Sequence, residues 1–145
     1  MPYTLEDITE VDERYETAWK VKALSLADER MPHASKSPAL SCLAAWARRS
    51  PANYKAIVKV LRIAASANPR VANEKQVKKG AEYPHIYEAR AHTLKARLMF
   101  FYDEAEATII CLDGYEKGSG DQTQAFRRAD HLRNLYLEFK KRNRS

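Results

Sequence analysis

The chain has 145 residues, 45% of them apolar and 30% charged, a composition that suits one globular domain and excludes wholesale disorder. No apolar run approaches the roughly 20 residues of a membrane helix, and the acidic start MPYTLEDITE lacks the apolar core of a secretory signal, so the expected compartment is the cytoplasm. The formal charge is +6, from 25 Lys and Arg against 19 Asp and Glu, and it is distributed unevenly.

Residues 1–30 hold eight acids and four bases, a net −4, which leaves +10 on residues 31–145. The chain is therefore read as an acidic, partly ordered arm over 1–30 and a basic domain over 31–145. A basic body favours polyanionic partners, because neutralised phosphates release counterions. The two cysteines, Cys42 and Cys111, sit in apolar stretches and read as buried reduced thiols. Four histidines and two cysteines without paired spacing argue against a zinc site, and no cofactor is expected.

In chain order, Leu5, Ile8, Val11 and Tyr15 recur at helical spacing and suggest a short helix over 4–16. Over 17–26, Trp19, Val21 and Ala23 alternate with Lys20 and Lys22, the pattern of a half-buried strand, with a helix continuing from Tyr15 as the alternative. Residues 27–37 read as a loop. Ser37-Pro38 then opens a helix with a capping serine and a first-turn proline, and Ser50-Pro51 repeats the signal for a second helix that Asn68-Pro69 stops. The pair forms an αα-hairpin.

A basic loop spans 69–83, and three strand-like runs follow at 85–92, 94–102 and 106–112. The last two are nearly continuously apolar, as strands covered on both faces are. Their short joints favour an antiparallel meander. Gly114, Gly118 and Gly120 mark the next loop. Asp121, with Gln124 three residues on, caps a final helix whose apolar stripe is Phe126, Ala129, Leu132, Tyr136 and Phe139. The expected class is α+β: a small antiparallel sheet of three strands, with a fourth N-terminal strand in reserve, packed with the hairpin and a C-terminal helix.

The bases on the meander carry the functional signal. Glu88, Arg90 and His92 alternate along the first strand, and Lys95 and Arg97 share a face of the second. Arg97 stands between Ala96 and the run LMFFY, where an unpaired guanidinium is costly. It requires either an ion pair with Glu88 across the sheet or a phosphate in an open cleft. Lys117, Lys78 and Lys79 are placed to converge on such a cleft. His92 and His131 are the available imidazoles, Tyr115 is placed to stack a base, and Tyr102 reads as core.

The stretch from Ile86 to Leu132 resembles the RelE/ParE toxin superfamily, and within it the HigB-like branch. The resemblance rests on Tyr87-Glu88-Ala89-Arg90, then Arg97-Leu98-Met99-Phe100-Phe101, then Tyr115-Glu116-Lys117, then Gln124-Ala125-Phe126-Arg127-Arg128-Ala129, in the family's order. It implies a toxin of a type II toxin–antitoxin module, a metal-independent endoribonuclease that cuts mRNA on the ribosome through the 2′-hydroxyl. Its implied partners are a helix-turn-helix antitoxin and ribosome-bound mRNA, with no membrane. By position, Arg97, Lys117 and Lys79 would be catalytic, and Lys78, Lys75, Arg90, Tyr115 and His92 would contact RNA, Arg90 with a structural ion pair as its other role. The loop Gly118-Ser119-Gly120-Asp121-Gln122 departs from the family by carrying one acid and no base. That departure keeps two alternatives open, a ParE-like inhibitor of DNA gyrase and a non-toxic RNA- or partner-binding module.

Overall fold

The computed structural model describes residues 3–8, 19–28, 31–66 and 76–142. These residues form β1 (Tyr3–Asp7), β2 (Lys20–Asp28), β3 (Met31–Lys36), α1 (Pro38–Arg49), α2 (Pro51–Ala64), β4 (Val77–Lys79), β5 (Tyr87–Arg90), β6 (Ala96–Asp103), β7 (Thr108–Glu116) and α3 (Gln122–Arg142). The fold is α+β. Its sheet runs β1-β2-β7-β6-β5-β4, and β3 pairs with β2 off this path.

The sheet is larger than the expected meander, and it is mixed. β5, β6 and β7 do pair antiparallel in sequence, but β7 also pairs with β2 in parallel, Val21 opposite Ile109. That contact joins segments more than 80 residues apart, which no local spacing rule can find. Of the acidic segment 1–30, the described runs 3–8 and 19–28 both enter the sheet. Residues 3–7 form a strand where a helix was expected, because Tyr3 and Leu5 pack inward while Thr4 and Glu6 stay exposed. Ile8 follows the strand and is buried, and residues 9–16 lie outside the described residues. Residues 31–36, expected as loop, are β3, with Lys36 opposite Leu26. Part of the expected basic loop is edge strand β4, which sets Lys78 opposite Glu88.

The helix pair forms where the two Ser-Pro signals stand. Ser37 Oγ accepts from Leu40 N at 3.3 Å, satisfying one of the first-turn donors that a helix leaves unpaired. At the second joint, Asn53 Nδ2 donates to Ser50 Oγ (2.7 Å), and the buried Oδ1 accepts from Ala96 N (2.9 Å). One amide thus fixes the start of α2 against the start of β6.

The apolar strands are sandwiched, which explains their blurred alternation. Leu98, Phe100, Ile109 and Cys111 pack with Leu43, Trp46, Ile57 and Leu61 of the α1–α2 pair. Met99, Phe101, Ile110 and Leu112 pack with Phe126, Ala129, Leu132 and Tyr136 of α3. Each such large side chain, fully buried, contributes roughly 1.5–3 kcal/mol. Cys111 is fully buried and Cys42 half-buried, both as free thiols. Burial first, then the Asp113 charge, pushes the Cys42 thiol up to about 11, so it is inert near neutrality.

Gly114 was expected in a loop but lies inside β7. A Cβ there would meet Arg97 O at 2.9 Å and Cys42 Sγ at 3.1 Å, so only glycine permits this approach. Two residues earlier the register skips Leu112, with Met99 opposite Asp113 and Phe100 opposite Cys111. This bulge inverts the face of every later residue of β7. It is the reason that Asp113 and Tyr115 point toward the α3 side.

Candidate functional site

The site grows from that inversion. Arg90, Arg97 and Tyr115 stand opposite one another across β5, β6 and β7. Two guanidiniums directly across a ladder repel. The charge that resolves this is Glu88, two residues along β5 from Arg90 and only 1% exposed. Its Oε1 accepts from Arg90 Nε at 2.8 Å and lies 3.9 Å from Arg97 Nε. Its Oε2 accepts from the Tyr115 hydroxyl at 2.6 Å.

Of the two partners open to Arg97 on sequence grounds, the Glu88 ion pair is present. Arg97 is 4% exposed, and its Nη1 donates to the carbonyls of Leu94 and Ala96, each at 2.8 Å. Burial lowers its pKa, and Glu88 opposes that shift. The side chain expected to hold a scissile phosphate is thus an internally bonded cation in the cleft floor. Burial and the Glu88 bond push the Tyr115 hydroxyl well above its ordinary range, so it acts as a hydrogen-bond donor. Buried at the centre of the network, Tyr115 is held away from the stacking role the sequence suggested.

Above this floor lies a groove of three adjoining cavities. The central one, about 580 Å³, is lined by Arg90, Arg97, Tyr115 and Lys117. A second, of about 250 Å³, shares Glu88, Arg90, Gln122 and Thr123 with it and adds Lys78, Lys79, Tyr83 and Phe126. The third, about 510 Å³, shares Arg97 and Lys117 with the central cavity and extends to His92 and Lys95. The groove therefore brings together Lys78, Lys79, Arg90, Arg97, Tyr115, Lys117 and His92. Lys75 lies outside the described residues, and His131 is exposed on α3 and lines none of these cavities.

Lys78, Lys79, Lys95 and Lys117 are exposed and form no ion pair with any described residue. Arg90 commits only its Nε to Glu88, and its side chain is 27% exposed. By contrast Arg128 is held by Asp113 at 2.6 Å, and Lys140 by Asp103 at 2.8 Å. The uncommitted cations thus border the groove.

Two features of the groove escaped the sequence reading. Gln122 and Thr123, the first residues of α3, line two of the cavities; Asp121 precedes them as the expected cap, its carbonyl accepting from Ala125 N. The positive end of a 21-residue helix therefore faces the cations, an arrangement that favours anions. His92 lies in the β5–β6 turn with φ 57°, where histidine is among the better-tolerated residues; it is not on the strand face with Glu88 and Arg90. Two neighbouring glycines at positive φ, Gly118 and Gly120, shape the loop beside Lys117.

Uncommitted cations beside a helix N-terminus favour anionic groups. Among the described residues no group of three or more His, Cys, Asp or Glu side chains is placed to hold a metal ion, and no helix is long and apolar enough to cross a membrane. Comparison with protein-family models, with curated proteins and with solved structures finds no match to this chain.

Proposed function

We propose that this protein binds RNA along the groove, and that it is the toxin of a type II toxin–antitoxin module acting on ribosome-bound mRNA. The observation that carries the reading is the convergence of Lys78, Lys79, Arg90 and Lys117 with the α3 N-terminus on one continuous groove. Such a row of solvent-facing cations neutralises successive phosphates and gains from counterion release.

Cleavage through the 2′-hydroxyl requires a proton acceptor, a donor to the departing 5′-oxygen, and positive charge on the phosphorane. In this reading Arg90 carries the charge, His92 accepts the 2′-hydroxyl proton, and Lys117, which shares the third cavity with it, donates a proton to the departing 5′-oxygen. Arg97 serves as a positioning residue: with Glu88 it sets the side chains of Arg90 and Tyr115. A helix-turn-helix antitoxin that covers the groove would neutralise the activity.

The decisive experiment adds the protein to a translation reaction and maps mRNA ends. New ends within codons at substoichiometric protein support the toxin reading, and intact message with RNA still bound removes it. One observation favours a second reading, RNA binding without cleavage: Arg97, although it lines the groove, spends Nη1 on two carbonyls and lies beside the Glu88 carboxylate. A supercoiling assay addresses the gyrase alternative.

A further inference from the structure

The 250 Å³ cavity at one end of the groove differs in chemistry from the other two. Where the central cavity is lined by Glu88, Arg90, Arg97, Glu116 and Lys117 around the Tyr115 ring, this one adds two further rings, Tyr83 and Phe126. Tyr83 and Phe126 lie nearly parallel, with ring centroids 6.1 Å apart and an interplanar angle of 12°. Phe126 is packed into the α3 core, while Tyr83 is only half-buried. The Tyr83 ring is thus offset-stacked beside a buried neighbour and stays partly open to the cavity.

The backbone keeps it there. Gly80 N donates to Ile86 O at 2.8 Å, and Ile86 N donates to Tyr83 O at 2.9 Å, closing the 80–86 loop onto β4 and β5. A Cβ at Gly80 would meet Tyr83 O at 2.8 Å and Phe126 Cε1 at 3.1 Å, so glycine is what lets the loop close over the ring. Around the rings stand Lys78, Lys79 and Arg90, the acids Glu82 and Glu88, and Gln122 and Thr123 at the start of α3, with Glu88 already bonded to Arg90.

From this geometry we infer that the Tyr83 cavity is a nucleobase subsite, which makes the groove a reader of single-stranded nucleic acid. The inference rests on the RNA-binding reading above and deepens it. The volume lies just under the roughly 300 Å³ at which small-molecule sites begin, enough for one planar ring system and too little for a whole nucleotide. The flanking cations take the phosphates on either side of that base. Gln122 and Thr123 supply donors and acceptors for its edge. A base in a duplex is stacked and paired and has no face to offer, so a duplex forfeits the subsite.

The test is fluorescence anisotropy on four probes: an octauridylate, an octaadenylate, an abasic sugar–phosphate strand of the same length, and a blunt duplex. Loss of one base–aromatic stack weakens binding by roughly 5- to 150-fold. Tyr83→Ala is expected to weaken the octauridylate or octaadenylate complex by about tenfold or more and to leave abasic binding unchanged. Tyr83→Phe is expected to retain affinity, and a melting curve for both variants confirms that the loop is intact. Lys78→Ala with Lys79→Ala is expected to weaken the base-bearing and abasic strands alike. Equal affinity of the wild-type protein for base-bearing and abasic strands would overturn the subsite and leave the polyanion reading standing. Absence of binding to every probe would overturn the RNA reading itself.

Discussion

Replacing Glu88 with glutamine separates the stability of the site from its affinity, because the two should move in opposite directions. The substitution keeps the shape and removes one negative charge from among Arg90, Arg97 and Tyr115. At 3.9 Å, a pair of unit charges is worth about 4 kcal/mol at an effective dielectric of about 20. The charge-assisted bonds from Arg90 Nε and the Tyr115 hydroxyl add about 1.5–3 kcal/mol each. Part of this is returned, because the carboxylate no longer has to be desolvated. Breaking a buried ion pair by removing one partner costs about 3–5 kcal/mol overall, a large share of the roughly 5–15 kcal/mol that a domain has.

Glu88→Gln should accordingly lower the urea midpoint by that free energy divided by the slope, with the slope itself unchanged. In the same variant the groove becomes more positive by one charge. A unit charge near a phosphate in water is worth about 1 kcal/mol, so single-stranded RNA should bind about fivefold more tightly at low salt. Urea denaturation followed by circular dichroism and RNA anisotropy below the transition measure the two quantities. A stability loss under about 1 kcal/mol would mean that the Leu94 and Ala96 carbonyls alone satisfy Arg97. Weaker RNA binding by the folded variant would mean that Glu88 holds the cations in a geometry worth more than its opposing charge.

Arg97→Ala is expected to cost about 3–5 kcal/mol of stability, because it strips a buried carboxylate of one partner; a melting curve close to wild type would show that Glu88 is content with Arg90 and Tyr115. Lys117 is exposed and without an ion pair among the described residues. Lys117→Ala should leave stability within about 0.5 kcal/mol while lowering the slope of log affinity against log salt by about 0.7. An unchanged slope would remove Lys117 from the RNA path. At the far end of the sheet, burial opposes ionisation of Asp103, but bonds from Lys140 (2.8 Å) and Tyr136 (2.6 Å) outweigh it and hold its pKa below the ordinary 3.8. Its stabilisation is therefore present above pH 3.8 and is lost as pH falls through the lower folded value. Lys140→Met should raise the Asp103 pKa and move the acid-unfolding midpoint to higher pH, read by circular dichroism; an unmoved midpoint would assign the effect to Tyr136.

Local chemistry determined much of this protein in advance. The Ser-Pro signals, the sandwiched runs after Lys95 and the apolar stripe from Phe126 to Tyr136 each act over a few residues, through caps, φ restriction and periodicity, so the helix pair, β6, β7 and α3 were legible in the sequence. The same logic showed that Arg97 needed a partner and named Glu88 as one of two. What only the tertiary structure decided depends on distant pairings. The parallel contact of β2 with β7 joins opposite ends of the chain, and the edge pairing of β4 with β5 turns a basic loop into a strand that brings Lys78 to Glu88. The skipped residue at Leu112 changes no composition or period that a reader could detect, yet it turns Tyr115 onto the face of Arg97. A carboxylate two residues from one arginine and one strand from another can be claimed by either or both. Only the packed sheet shows that Glu88 takes both, and that the groove above them is left to the lysines, Arg90 and the first turn of α3.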